Sequence, residues 1–225
     1  MGSITRGLSN NITTGGVILP AGITNASVSA VTSFANAPAG TLTLISTQTA
    51  SNSATISFTT GLDSTYDMYE FKFIDIHPIN NASYFSFNLS TDAGSNYNTT
   101  KTTTFFQAFH EESEPTDIYG ITGGGITYDS GEDLAQSTSF QRISYAIKND
   151  ADATVVGSMQ LFNPSSTTYV KHFISTTNMY WYANASFNTY VAGYGNTTSA
   201  VNAIQFKMNS GNFDGVIKLY GVKKS

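Results

Sequence analysis

The sequence predicts an all-β protein: two antiparallel sheets packed face to face as a sandwich, jelly-roll-like in its winding, behind an extended N-terminal arm. Three observations predict it. Apolar and polar residues alternate with period two in about eleven short segments. Clusters of Gly, Asn, Asp, Ser and Pro separate those segments, and no long stretch carries helical periodicity. Alternation of this kind marks strands buried on one face, and such strands become stable when two sheets cover each other's apolar faces. The irregular spacing of the segments suits a jelly roll better than an equal-bladed propeller or a solenoid.

Residues 1–40 stand apart. They are small, polar and nearly uncharged, with Arg6 the one ion. Their single apolar knot, Val17, Ile18 and Leu19 before Pro20, is flanked by Gly-Gly and Ala-Gly. Such a stretch cannot bury enough apolar surface to fold alone. It is expected to lie extended on a partner, with Val17, Ile18 and Leu19 as contacts, or else to be a disordered terminus. The sandwich is expected over residues 41–225.

Each strand is then justified by its own alternation. TLTLIS (41–46) sets Leu42 and Leu44 on one face, and ATISFTT (54–60) does the same with Ile56 and Phe58. YEFKFIDIH (69–77) opposes Tyr69, Phe71 and Phe73 to Glu70 and Lys72; YFSFNLS (84–90) aligns Phe85, Phe87 and Leu89. Further strands are expected at 105–109, 140–147, 157–162, 168–176, 187–193, 202–208 and 215–222, with turns such as HPINNAS, TDAGSN, KNDAD, NPSS and NSGNFDG between them. The segment from Glu111 to Ser139 is poor in strand signals and rich in Gly, Ser and acid, and reads as a long excursion over the surface.

Composition narrows the function. Charged residues are 11% of the 225, against about 25% in an average soluble domain. Ser, Thr and Asn supply the missing polarity, and a neutral, hydroxyl-rich surface suits packing among copies or partners, or contact with sugars. Aromatic residues at 13% argue against disorder. The net charge is −5 and no basic patch is visible, so nucleic acid is not expected as a partner. No apolar run approaches the roughly 20 residues of a membrane helix, and the start lacks the charged and apolar regions of a secretory signal. Cys 0 excludes disulfides, thiolate metal sites and cysteine nucleophiles.

Candidate chemistry is sparse. His110 precedes Glu111, Glu112 and Glu114, but neighbours on an extended chain point to opposite faces and cannot share one ion. YDSGED (128–133) and NDADA (149–153) are oxygen-rich like loose Ca²⁺ loops, yet neither matches the EF-hand pattern, and turns use the same residues. Glu70 and Asp75 are the carboxylates best placed for glycoside hydrolysis, but their odd separation sets them on opposite faces. No GxSxG elbow or P-loop appears. No catalytic residue, metal ligand or cofactor is therefore expected. Tyr180, Trp181 and Tyr182, around the one tryptophan, are either ligand or interface contacts or, for Trp181, core. In TYVKHFIST (168–176), Lys171 and His172 fall on opposite faces, so they cannot work on one atom; His172, between Val170 and Ile174, is expected on the core side.

Three blocks, LISTQTASNSATISFTTGLDSTYDMYEFKFIDIHP (44–78), QLFNPSSTTYVKHFIST (160–176) and YVAGYGNTTSAVNAIQFKMNSGNFDGVIKLYGV (190–222), resemble β-rich virion structural proteins of tailed phages from marine bacteria. The resemblance implies a place in the virion rather than a chemistry. It leads to the expectation of a non-enzymatic capsid decoration or cement protein, a homo-oligomer, as a trimer, whose arm docks on neighbouring subunits. The alternatives are a tail fibre or tail-tip module meeting a host-surface glycan and, last, a depolymerase.

Overall fold

The computed structural model describes residues 12–13, 16–17, 42–113, 117–118 and 121–222. The chain divides into two units, Met1–Gly40 and Thr41–Ser225. In the first, β1 (Ile12–Thr13) pairs antiparallel with β2 (Gly16–Val17). The rest of the arm expected over 1–40, Ile18 and Leu19 included, lies outside the described residues.

Every regular element described in the second unit is a strand: β3 (Leu42–Ser53), β4 (Ile56–Phe58), β5 (Met68–Pro78), β6 (Phe85–Ser90), β7 (Lys101–Glu111), β8 (Asp117–Ile118), β9 (Ile121–Thr122), β10 (Gly124–Tyr128), β11 (Gln141–Arg142), β12 (Val155–Phe162), β13 (Lys171–Trp181), β14 (Ala185–Gly195), β15 (Ala203–Met208) and β16 (Phe213–Val222). They form an eight-stranded sheet, in the order β10-β7-β14-β13-β12-β5-β16-β3, packed on a four-stranded sheet, β11-β6-β15-β4; β8 and β9 pair by themselves. All the pairings are antiparallel, and the protein is a two-sheet β-sandwich. The strand order does not confirm the jelly-roll winding: β12, β13 and β14 follow one another within one sheet.

The core lies where the inward side chains of the two sheets meet. Tyr69, Phe71 and Phe73 of β5 and Leu219 of β16 face Phe58 of β4, Phe85 and Phe87 of β6 and Phe206 of β15, all buried. Phe206 sits at the centre. Its ring lies 5.3 Å from those of Phe71 and Phe73, 5.7 Å from Phe85, 6.3 Å from Phe58 and 6.4 Å from Phe87. Edge-on, tilted and stacked ring pairs of this kind add about 0.5–1.5 kcal/mol each to the effect of burial alone.

Each expected strand segment contains a strand, and the departures have local causes. At 41–46 the predicted face is wrong. Leu44 is 53% exposed, while Ile45 packs against the core. The register with β16 slips between Leu219 and Tyr220, so Ile45 is the unmatched residue and the inward phase moves by one. A second slip crosses the middle of the larger sheet. Asp75 takes a φ of 51°, and the register shifts on both sides, against β12 at Val155/Gly157 and against β16 at Asp214/Val216. Asp75 is thereby turned outward and Ile76 is buried in its place. The neighbouring β16 must come close here: a Cβ on Gly215, at φ +130°, would meet Asp75 O at 2.7 Å and Ile76 Cα at 2.9 Å.

The described residues from 123 to 139 do not form an excursion away from the sheet. β10 adds an edge strand to β7, and 134–137 is tied back to β7 by Thr103 N–H to Leu134 O (2.9 Å) and by Lys101 N–H to Ser137 O (2.8 Å). Of 140–147 only β11 is regular strand, but Ile143, Ala146 and Ile147 are buried. At the opposite edge, β3 starts and β16 ends on one rung, with Leu42 and Val222 as register partners.

Two substitutions test this architecture. Phe206→Ala is expected to lower unfolding free energy by about 3–5 kcal/mol in denaturant titration. Gly215→Ala is expected to destabilise by more than ~1 kcal/mol, because both its dihedral and its neighbours exclude a Cβ. A neutral Gly215→Ala would remove the close approach from the account of the bulge.

Candidate functional site

Strand alternation sends one set of side chains of the eight-stranded sheet into the core and the other set to its outer face. The register lines these outer residues up in rows across the strands. One row runs Tyr128, Phe106, Tyr190, Thr176, Ser158, Lys72, Lys218; the next runs Thr104, Ala192, Ile174, Gln160, Glu70, Tyr220, Leu44. Phe106 and Tyr190 stack at 4.8 Å with their planes 11° apart. Ile126, Ile174, Val156 and Tyr128 are exposed on the same surface. Glu70, Lys72, Asp75 and Lys218 gather at the β5–β16 end, where Lys72 lies 3.9 Å from the Glu70 carboxylate and over the Tyr220 ring. The β10–β7–β14–β13 half is an almost uncharged surface of aromatic, hydroxyl and aliphatic groups.

That half ends in an open cleft of about 390 Å³, lined by His110, Glu111 and Glu112 from the end of β7, Asp152 and Thr154 before β12, Val156, Asn178, Met179 and Tyr180 from β12 and β13, and Ser186. His110, Ser186 and Tyr180 are successive register partners, which is what brings them together. Burial, reinforced by the Glu112 carboxylate, raises the Tyr180 phenol above its ordinary value. Lys148 lies over the Tyr180 ring, 2.9 Å from Asp150, and donates to Asn184 Oδ1 at 2.6 Å; the bond to Asp150 holds its pKa up. Glu111 Oε1 is buried without a hydrogen-bond partner. Among the described residues no group of three or more His, Asp or Glu could hold a metal ion. Polar groups beside an aromatic face can bind a hydroxylated ligand.

The residues singled out from sequence separate here. Tyr180 lines the cleft and Tyr182 is 43% exposed. Trp181 packs on the core, its ring 5.1 Å from Phe187 and 4.8 Å from Tyr182. Val17 is described only as backbone of β2. Asp129 accepts the Gly131 N–H at 3.1 Å, the ordinary use of an acid in a turn.

Lys171 and His172 do point apart, but with the core side reversed. His172 is exposed, its ring 5.9 Å from that of Tyr194. Phe173, Ser175, Thr177 and Met179 are the inward residues of β13, and Lys171 is in phase with them and fully buried. Its Nζ donates to Tyr169 O at 2.6 Å and Thr197 O at 3.3 Å. Ile174, expected inside with His172, is 51% exposed. The same inner face holds a second fully buried lysine, Lys101 of β7; Gly195 is the register partner of both. Sequence reasoning missed Lys101, since the alternation that marked this strand began only at Phe105.

Comparison of the chain with family models, with curated proteins and with solved structures gives no match.

The buried amine makes a pH prediction. Burial lowers the pKa of Lys171 below the ordinary 10.5. The folded protein therefore sheds this proton at lower pH than the unfolded chain, and stability rises with pH between the folded value and 10.5, being least below it. Denaturant titrations across the alkaline range are expected to show a smaller rise for Lys171→Met than for the wild type. Equal slopes would mean that Lys171 is not held as the buried amine described.

Proposed function

We propose that the chain is a non-enzymatic structural protein of a virus particle, a capsid decoration or cement protein that docks through the outer face of its larger sheet and works as a homo-oligomer. The observation that carries this reading is the uncharged half of that face. Ile126, Tyr128, Ile174 and Phe106 stand between 40% and 73% exposed on it, with Val156 exposed on the adjoining β12. Contiguous apolar surface of this kind marks a site of association. The resemblance of the three sequence blocks to phage virion proteins supplies the setting, and the low charge suits a surface that meets many copies of a partner. Residues 1–40 would add a second attachment.

The cleft at the end of β13 favours a second reading, a module that meets a host-surface glycan. Asn178, Ser186, Asp152 and Glu112 offer hydrogen bonds to sugar hydroxyls beside the Tyr180 ring.

Binding of the purified chain to assembled heads tests the first reading. The double variant Ile126→Glu/Ile174→Glu changes two exposed residues, so its stability is expected to stay within about 0.5 kcal/mol of wild type per site. Its binding to heads is expected to fall tenfold or more. Wild-type protein that ignores heads but is retained by host glycans, with retention lost in Tyr180→Ala, would move the conclusion to the second reading.

A further inference from the structure

Lys101 opens β7 in the larger sheet, and Asn88 lies in β6 of the smaller one. Both side chains are fully buried. Lys101 Nζ donates to Asn88 Oδ1 and, at 2.8 Å, to Thr99 O. The carboxamide is held on every side. Its Oδ1 also accepts the Leu89 N–H at 2.9 Å, and its Nδ2 donates to Tyr97 O at 2.7 Å and Thr138 O at 2.9 Å. Among the described residues no ion pair includes Lys101.

A buried ammonium with only carbonyl partners is poorly compensated, and the group responds by giving up its proton. Burial brings the Lys101 pKa down to about 7. A large fraction of this amine is then neutral near physiological pH, and a neutral, desolvated lysine is a nucleophile. Its nitrogen is held against the carbonyl of a primary amide that cannot turn away. Amide exchange is slow in solution because the amide is a weak electrophile with a poor leaving group; fixed proximity of this kind lowers the entropic part of that barrier.

We propose that Lys101 and Asn88 are a covalent modification site, at which the lysine amine displaces ammonia from the asparagine side chain and forms an isopeptide bond between the two sheets. The Nζ lone pair adds to Asn88 Cγ, and the negative charge that develops on Oδ1 meets the Leu89 N–H. One proton passes from Nζ to Nδ2. The Cγ–Nδ2 bond breaks, ammonia leaves with its hydrogens directed at Tyr97 O and Thr138 O, and Nζ stays bonded to Cγ as a neutral amide. No oxidant, reductant or other reactant is needed. The product removes the buried amine and its titration, and it staples β7 to β6 in a chain that has no cysteine to do so. The bond is independent of the surface that the protein meets.

The test is a peptide map of the wild-type full chain, kept folded at neutral to mildly alkaline pH until its mass is constant. Chymotrypsin cuts after Leu89 and Tyr97, and so separates Asn88 from Lys101 unless they are bonded. The expected result is a branched peptide joining the two, lighter than the sum of its parts by one ammonia, and absent from Lys101→Arg and Asn88→Ala. Because the wild type alone can answer, a variant that fails to fold leaves the test intact. Free Lys101 with an intact Asn88 carboxamide overturns the proposal. So does an ammonia loss confined to the Asn88–Leu89 peptide, which is a succinimide.

Discussion

The sandwich depends on the packing of Phe206. A four-stranded sheet has to hold an eight-stranded one, and it does so through a ring that touches aromatic side chains from its own sheet and from β5. The smaller sheet covers only part of the larger. The inner faces of β7, β14 and β13 are closed by its edge strand β11 and by the irregular chain 143–147 beyond it, where Ile143 and Ile147 are buried and Tyr145 stacks on Phe187 at 5.7 Å. Cover by irregular chain brings backbone carbonyls and amides into the interior, and the inner face there is correspondingly polar. Thr103 donates to Gln141 and Thr177 to Ile143 O, and the register partners Gln107 and Thr189 are buried beside them. The width of the larger sheet thus determines both where the apolar core stops and where lysines can be buried.

Most of the fold could be read from side-chain alternation, because β5 and β6 put large aromatics at every second position and nothing in between competes with them. Where polar and apolar groups are less distinct, the phase could not be read. In β3, Leu42 and Leu44 suggested one face, and a register slip that only pairing with β16 reveals gave the core to Ile45. In β13, the alternation was correct but its sign was not: Ile174 looked more core-like than Lys171, yet Phe173 and Met179 set the phase. β10 had no signal, since GGITY earns its place by pairing with the edge of β7 and not by its own pattern.

The candidate site was less legible for a related reason. Sequence reading could nominate Tyr180–Tyr182 as aromatic, but which ring lies in the cleft follows from the cross-strand row Tyr180, Ser186, His110, and His110, Glu112 and Asp152 are distant from Tyr180 in the sequence. The Lys101–Asn88 contact was invisible. Its two residues lie on different sheets, and each, taken alone, is an ordinary polar residue near a strand end. A neutral surface and buried cations share one origin in a chain with few charges, where the outer face is left to aromatic and hydroxyl groups.

The common rung of Leu42 and Val222 has a mechanical consequence. The hydrogen bonds between antiparallel strands lie across the strands. A pull applied through these two residues therefore loads the first pair of the β3–β16 ladder alone and then opens the ladder pair by pair, like a zip. A tangential load on the outer face instead drags whole strands past one another, against many bonds at once. The fold is anisotropic under force: it is easily peeled from the corner where β3 begins and β16 ends, and stiff to anything that grips the broad face.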